Sequence, residues 1–256
     1  MIIIKSEEEI RNIKVAGEIL RDTHIKLEEA IRPGMSTYEL DQIAEKYILS
    51  KNAIPAQKGY PNFNEGMPSF PSTTCISVNN EVIHGIPSKK RILKDGDIVS
   101  IDLVVEKNGY FADAARTYIV GKANSKEDEN LVKTTKEAFF KGIKYAKVGY
   151  RIGDISNAIY EHVKKNNLDV IRAFQGHGVG VEMHEEPGIP NYGEKGRGPR
   201  LEEGMILAIE PMVVQGDPDI IELDDGWTIL TSDGKNSAHY ENTVLITKNE
   251  PEILTI

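Results

Sequence analysis

Residues 96–102 read Gly96-Asp97-Ile98-Val99-Ser100-Ile101-Asp102, and their pattern returns as Gly204-Met205-Ile206-Leu207-Ala208-Ile209-Glu210. The glycine, both isoleucines and the terminal acid keep their places at a constant offset of 108 residues. A helix start repeats as well: Arg32-x-Gly34-x-x-x-x-Glu39-Leu40 is echoed by Lys147-x-Gly149-x-x-x-x-Asp154-Ile155, at an offset of 115. One short motif recurs by chance, but two in the same chain order indicate duplicated halves. The join falls between Gly121 and Ser125, giving one domain, 1–256, made of pseudo-symmetric halves 1–121 and 122–256.

Each half opens on a pair of helix patterns. Ser6 and Glu9 stand in capping-box spacing before an amphipathic run from Ile10 to Ile31. Ser36 and Glu39 repeat the box, and Leu40, Ile43, Ala44, Tyr47 and Ile48 form the apolar stripe that follows. The later pair spans about 126–146 and 152–166. Between the pairs the period changes to two, as in Thr74-Cys75-Ile76-Ser77-Val78 and Ile98 to Val105, which predicts strands. Asn108-Gly109 is a two-residue hairpin signal that brings the strand of Asp102 back against the strand of Asp113. A second ribbon, Trp227–Leu230 with His239–Ile246, is expected to turn at Ser232-Asp233-Gly234 and to carry Glu241 on its returning arm. The expected fold is α+β: antiparallel sheet from both halves, covered by the two helix pairs, with the site between the halves.

Bulk composition narrows the function. A net charge of −9 leaves no excess of lysine and arginine to displace counterions from a phosphate backbone, so nucleic acid is not an expected partner. Phosphorylated substrates are disfavoured for the same reason. No apolar run approaches the ~18 to 20 residues of a membrane span, and the short Met-Ile-Ile-Ile start, followed at once by charge, is no secretory signal. Cys75 is the lone cysteine and makes no internal disulfide, which suits the cytoplasm.

Asp102 and Glu210 each interrupt an apolar strand, where a carboxylate is costly to bury without a partner. A wet strand face would explain either acid alone. Two acids at matching places in two halves converge near the pseudo-twofold axis, and their mutual repulsion calls for cations. Asp113 and Glu241 have similar apolar or small neighbours, although Arg116 offers Asp113 a salt bridge. Among the histidines, Gly176-His177-Gly178 makes poor core packing and reads as a ligand or catalytic group, while His84 and His184 lie beside turns. His24 and His162 read as structural residues on exposed helical faces; His239 should share a side with Glu241 and could support the site. His184-Glu185-Glu186-Pro187 is followed by Gly188, so the zinc-protease helix motif is absent, and no Gly-x-Ser-x-Gly elbow occurs. Asp102, Asp113, His177, Glu210 and Glu241 make a hard, oxygen-rich set suited to two ions of Mn, Fe(II), Co or Zn.

The ordered stretches Asn80-Glu81-Val82-Ile83-His84-Gly85-Ile86-Pro87, Asp95-Gly96-Asp97-Ile98-Val99, Gly176-His177-Gly178-Val179-Gly180, His184-Glu185-Glu186-Pro187 and Ile209-Glu210-Pro211-Met212 resemble the type I methionine aminopeptidases, which are pita-bread peptidases. The resemblance covers nearly the whole chain. It implies a dinuclear site in which Asp113 and Glu241 bridge the ions and Asp102 chelates one, with His84 and His184 contacting substrate and Glu210 moving protons. It implies removal of the initiator methionine from nascent proteins and peptides, with a small second residue preferred. Phe70, Cys75, Met183 and Trp227 are the aligned candidates for the methionine pocket; Cys75 and Met183 are also common core fillers, and Trp227 in Asp225-Gly226-Trp227-Thr228 is the stronger candidate. A monomer working in the cytoplasm, near the ribosome, fits the same resemblance. The segment from Tyr60 to Pro71 is longer than the usual family loop, which bears on Phe70 and the pocket rim. The rival readings are an Xaa-Pro dipeptidase or aminopeptidase of the same fold, whose members usually carry an added amino-terminal domain, and a catalytically inactive binding relative, whose mark would be a missing ligand.

Overall fold

A computed structural model describes residues 1–64 and 66–256. Local chemistry starts the helices where the sequence places them. In α1 (Glu7–Ala30) the Ser6 hydroxyl accepts the Glu9 N–H, and the Glu9 carboxylate accepts the Ser6 N–H. Ser36 and Glu39 do the same for α2 (Thr37–Ser50). Ser125 caps α3 (Lys126–Gly142), which ends in a tighter turn at Ile143–Tyr145, sooner than a continuous helix to 146. Arg151 precedes α4 (Ile152–Lys165), its N–H held by the Asp154 carboxylate at 2.9 Å.

The strands of the first half are β1 (Ile54–Pro55), β2 (Cys75–Val78), β3 (Glu81–Ile83), β4 (Ile98–Lys107) and β5 (Tyr110–Ile119). Those of the second are β6 (Asp169–Val170), β7 (Gly176–Gly178), β8 (Glu185–Ile189), β9 (Ile206–Ile209), β10 (Met212–Val214), β11 (Ile220–Glu222), β12 (Ile229–Thr231), β13 (Ser237–His239), β14 (Asn242–Leu245) and β15 (Glu252–Ile253). All pairings among the described residues are antiparallel, in the orders β1-β4-β2 with β5 on β4, β15-β14-β9-β7-β8, β13-β10-β6 and β11-β12-β3.

The Asn108-Gly109 hairpin forms as read. Lys107 faces Tyr110, and both turn residues have positive φ, 56° and 81°, which suits the twist of a two-residue turn. The second expected ribbon does not form. A turn lies at 232–234, but β12 pairs with β11 and β3, whereas β13 pairs with β10 and β14 with β9 and β15. The apolar strands β9 and β10, buried at every position, together offer β13 and β14 a longer core-facing partner than β12 does.

Period two then sorts each strand between core and site. Val99, Ile101, Leu103 and Val105 of β4 join Ala112 and Ala114 of β5 under Ala16, Leu20, Leu27, Leu40 and Ala44 of the first helix pair. Leu131, Phe139, Ile155, Ile159 and Val163 of the second pair cover Leu207, Ile209 and Val213. Each half thus has a helix-covered core, and the alternate strand residues are free to face one another across the middle.

Candidate active site

Cross-strand register places the acids. Asp102 lies opposite Ala115 and Asp113 opposite Val104, so the two aspartates are diagonal neighbours on the face turned away from the helices. In the second half, Ile209 faces Asn242 and Met212 faces His239, a register that sets Glu210 opposite Glu241. Both glutamates sit where the ladder is interrupted, between β9 and β10 and between β13 and β14, rather than inside continuous strands. Pro211 supplies the reason, because it has no N–H to give the ladder; its carbonyl accepts from the Tyr240 N–H at 3.2 Å.

Arg116 does not pair with Asp113. Three residues apart on a strand, they point to opposite faces. Its guanidinium donates instead to the carbonyls of Ala115, Glu241 and Thr255 and to Asn242 Oδ1, and it lies over the Tyr240 ring at 4.7 Å. Arg116 therefore fixes the main chain that carries Glu241.

His177 enters from β7. Its flanking glycines are required by neighbouring strands rather than by a ligand: a Cβ on Gly176 would lie 2.4 Å from the Ala208 carbonyl oxygen, and one on Gly178 2.4 Å from that of Glu186. His177 Nδ1 is 2.8 Å from the Gly178 carbonyl, which can only accept, so Nδ1 carries the proton and Nε2 presents a bare lone pair. That lone pair faces Asp113 Oδ2 and Glu210 Oε1, each at 3.6 Å. One such atom from each of Asp113, His177 and Glu241 lies within 4.8 Å of the others.

Acceptors facing acceptors are costly. Burial, reinforced by the neighbouring carboxylates, holds Asp113, Glu210 and Glu241 well above the usual carboxylate range, and burial raises Asp102 too. Burial lowers His177 to about 3, so the ring is neutral and cannot serve as their counter-ion. Two like charges ~5 Å apart repel by about 3 kcal/mol at an effective dielectric of about 20. Asp102 Oδ1, Asp113 Oδ1 and Glu241 Oε1 are moreover buried without a hydrogen-bond partner among the described residues. Divalent cations fit this donor set, offsetting the repulsion and using the orphaned oxygens.

The acids and His177 line a cavity of about 80 Å³ whose other walls include Phe70, Cys75, His84, Met183, His184 and Trp227. All the site residues expected from sequence thus meet there. Cys75 faces Asp102 across β2 and β4. Phe70 is buried and packs edge-on to Trp227 with ring centres 5.2 Å apart, while Trp227 Nε1 donates to the Pro68 carbonyl at 2.9 Å. His84 holds φ at 58°, a left-handed backbone uncommon for any residue but glycine, and burial lowers its ring to about 4. Gly85 follows because a Cβ there would meet the Ile76 carbonyl oxygen at 2.3 Å. His184 stands at the exposed edge, its Nδ1 3.0 Å from Tyr60 Oη and its ring 4.5 Å from that of His177. The long 60–71 loop closes on itself, Phe70 N–H donating to the Tyr60 carbonyl at 2.9 Å. Glu65 of that loop lies outside the described residues.

The other histidines divide. His239 is buried with Nε2 3.5 Å from Glu210 Oε2, on the site side as its strand position implies. His24 is not on an exposed face: it is 3% exposed, with Nε2 3.0 Å from the Ala114 carbonyl, because α1 crosses the back of β5. His162 is partly covered, with Nε2 3.2 Å from Glu137. Sequence reading missed Gln57 and Val104 in the wall. Gln57 Nε2 lies 3.3 Å from Asp102 Oδ2. Val104 follows from the period-two face of Asp102, whereas nothing in the pattern around Gln57 marks it.

A carboxylate-lined cavity between two helix-covered halves defines a metal-dependent peptidase of the pita-bread class. Residues 11–248 match metallopeptidase family M24, and the chain belongs to that family. Within it the similarity is to methionine aminopeptidases: that of Clostridium perfringens is 53% identical over 256 residues, 100% of this chain and 99% of the relative. The crystal structure of methionine aminopeptidase from Thermotoga maritima superposes with a TM-score of 0.95 at 43% identity, covering 100% of this chain and 99% of that one. A prolidase from Pyrococcus furiosus shares the fold at a TM-score of 0.76 and 29% identity; the match spans 99% of this chain and 65% of the prolidase.

Proposed function

We propose that this chain is a methionine aminopeptidase that removes the initiator methionine from nascent proteins and peptides. The carrying observation is a small cavity shared by five metal-ligating side chains, in which Asp102 Oδ1, Asp113 Oδ1 and Glu241 Oε1 are buried without a partner among the described residues and His177 presents a bare Nε2. Asp102, Asp113, His177, Glu210 and Glu241 would hold two divalent ions, Co, Mn, Fe(II) or Zn. Such ions supply Lewis acidity and an activated water nucleophile when bound. Phe70, Cys75, Met183 and Trp227 accept an unbranched apolar side chain. His84, neutral at pH 7, donates a hydrogen bond to the substrate carbonyl, and His184 also binds the peptide. Glu210 receives and returns the proton that hydrolysis must move, with His239 Nε2 3.5 Å from its Oε2. The small cavity admits one residue at a free chain end and favours a small second residue beyond it.

The same reading makes the protein a cytoplasmic monomer acting close to the ribosome. No helix among the described residues is long and apolar enough to cross a membrane. Proline-directed cleavage is the weaker reading, since similarity to the prolidase is lower in both identity and superposition. A binding-only relative would be expected to lack a ligand, and all five are present. Metal-reconstituted protein given Met-Ala-Ser and Ala-Pro peptides should release methionine from the first and nothing from the second. Alanine release from Ala-Pro without methionine release would overturn the assignment.

A further inference from the structure

Segment 179–184 joins β7 to β8 and brings Met183 and His184 to the cavity wall. Its shape is set by a carboxylate that the proposed chemistry does not use. Glu185 Oε1 accepts the N–H groups of Val181 and Glu182 at 2.7 and 3.0 Å. Its Oε2 accepts from Lys5 Nζ in an ion pair whose side chains are each 1% exposed. Lys5 is further anchored by its own N–H, which donates to the Gly204 carbonyl at 2.9 Å, and by Nζ, which donates to the Ile3 carbonyl at 3.2 Å.

The chain makes room for this arm. A Cβ on Gly180 would lie 2.5 Å from Ile13 Cδ1 and 3.1 Å from Lys5 Cε, and one on Gly204 would lie 2.9 Å from Ile4 Cγ2. Met1 and Ile3 then border a groove of about 400 Å³ that they share with Glu182, His184 and Glu186. A buried ion pair is a poor source of net stability, because desolvation offsets its attraction, but losing one partner strands the other charge. Removing the Lys5 ammonium would leave the Glu185 carboxylate buried with two amides as its only partners, and the segment would rearrange to reach water.

We propose that Lys5 is a positioning residue for His184: its buried pair with Glu185 fixes the segment that holds the imidazole against the substrate. The inference rests on the assignment of His184 to substrate binding. In metal-loaded full-length protein, Lys5→Met should lower kcat/KM on Met-Ala-Ser by about tenfold, as displacement of a positioned group does, with metal affinity within about twofold of wild type. In a His184→Ala background the same change should cost less than about twofold, because it acts through a ring already removed. Amide hydrogen exchange should rise in the peptide spanning 179–186 and not in the β4–β5 hairpin. Unchanged kcat/KM and exchange, or an equal loss in both backgrounds, would overturn the proposal. If Lys5→Met does not fold, Glu185→Gln removes the charge pair while keeping an acceptor for Val181 and Glu182, and is held to the same outcomes. If wild-type protein releases no methionine, the assigned function fails, and the exchange measurement alone decides whether Lys5 orders the segment.

Discussion

The hydroxyl of Thr243 accepts the backbone N–H of Asp113 and donates to the carbonyl of the same residue, each at 2.9 Å. Thr117 treats His239 in the same way, at 2.9 and 2.7 Å, and between the two the Glu241 N–H donates directly to the Ala115 carbonyl at 3.0 Å. The seam between the halves is therefore a strand contact with a threonine hydroxyl wedged in on either side. Thr243→Val keeps the shape and removes both bonds to Asp113. It should cost about 2–4 kcal/mol of stability, since two buried backbone groups lose their partner. Metal affinity should fall by about tenfold or more, as for other groups that orient a ligand. Thr243→Ser should restore both. Calorimetric titration with Mn(II) and urea unfolding measure the two effects, and a valine variant that binds metal like wild type would remove Thr243 from the site.

Metal uptake should expel protons from carboxyls and not from imidazole. Asp113, Glu210 and Glu241 are held above their usual range, mainly by burial, whereas His177 is already neutral above about pH 3. An acid raised in the folded state stabilises metal-free protein at low pH and loses that contribution as pH rises through the raised value. Affinity should thus strengthen from pH 5.5 to 8, and the melting difference between metal-loaded and chelated protein should widen over that range. Titration at pH 6 in buffers of different ionisation enthalpy should show net proton release on binding. No buffer dependence at pH 6 would mean the carboxyls are already ionised there.

Much of the site was legible because its causes are local. Capping boxes at Ser6 and Ser36, the Asn108-Gly109 turn and the period-two face carrying Asp102 each depend on a few neighbouring residues. The partners of the strands flanking Glu241 were not legible from pattern: a sequential ribbon with β12 was the simpler expectation, whereas β13 pairs with β10 and β14 with β9, strands distant in sequence whose residues are all buried. His24 was misread because a helix known only by its own periodicity does not reveal that a strand crosses its second face. The glycines around His177 pointed to the right residue for an incomplete reason, since they serve the packing of three adjacent strands. The identity of the first residue removed was carried by resemblance, because period and spacing say nothing about the depth of a cavity.

Cys75 should resist alkylation while the protein is folded. It is 3% exposed, and burial together with the charges of Asp102 and Asp113 pushes its thiol well above the usual range, which suppresses the reactive thiolate. At pH 8 iodoacetamide should label it at least about a hundredfold more slowly in native protein than in urea, a ratio set by the exposed fraction and the thiolate fraction together. Rapid stoichiometric labelling in the absence of denaturant would show the pocket wall to be open to solvent on the timescale of the reaction.

His24 supplies a pH-dependent stability term away from the acids. Burial is the largest cause of its lowering to about 3, helped by the nearby Arg116 guanidinium and opposed by its bond to the Ala114 carbonyl. The unfolded chain takes up a proton near pH 6.5, where the folded chain does not, so acid favours unfolding. The stability contributed by neutral His24 is complete above that value and is lost progressively as pH falls toward about 3. Between pH 6.5 and 4.5 the loss amounts to about 2–3 kcal/mol at ~1.4 kcal/mol per pH unit. His24→Gln keeps an N–H donor for the Ala114 carbonyl but has nothing to titrate. At pH 8 the variant should lie about 1–2 kcal/mol below wild type, for lost packing and a poorer hydrogen bond. The gap should close or reverse by pH 4.5, read from urea midpoints at each pH. A gap that stays constant from pH 8 to 4.5 would mean that His24 takes up its proton as readily folded as unfolded, and that burial does not disfavour the charged ring.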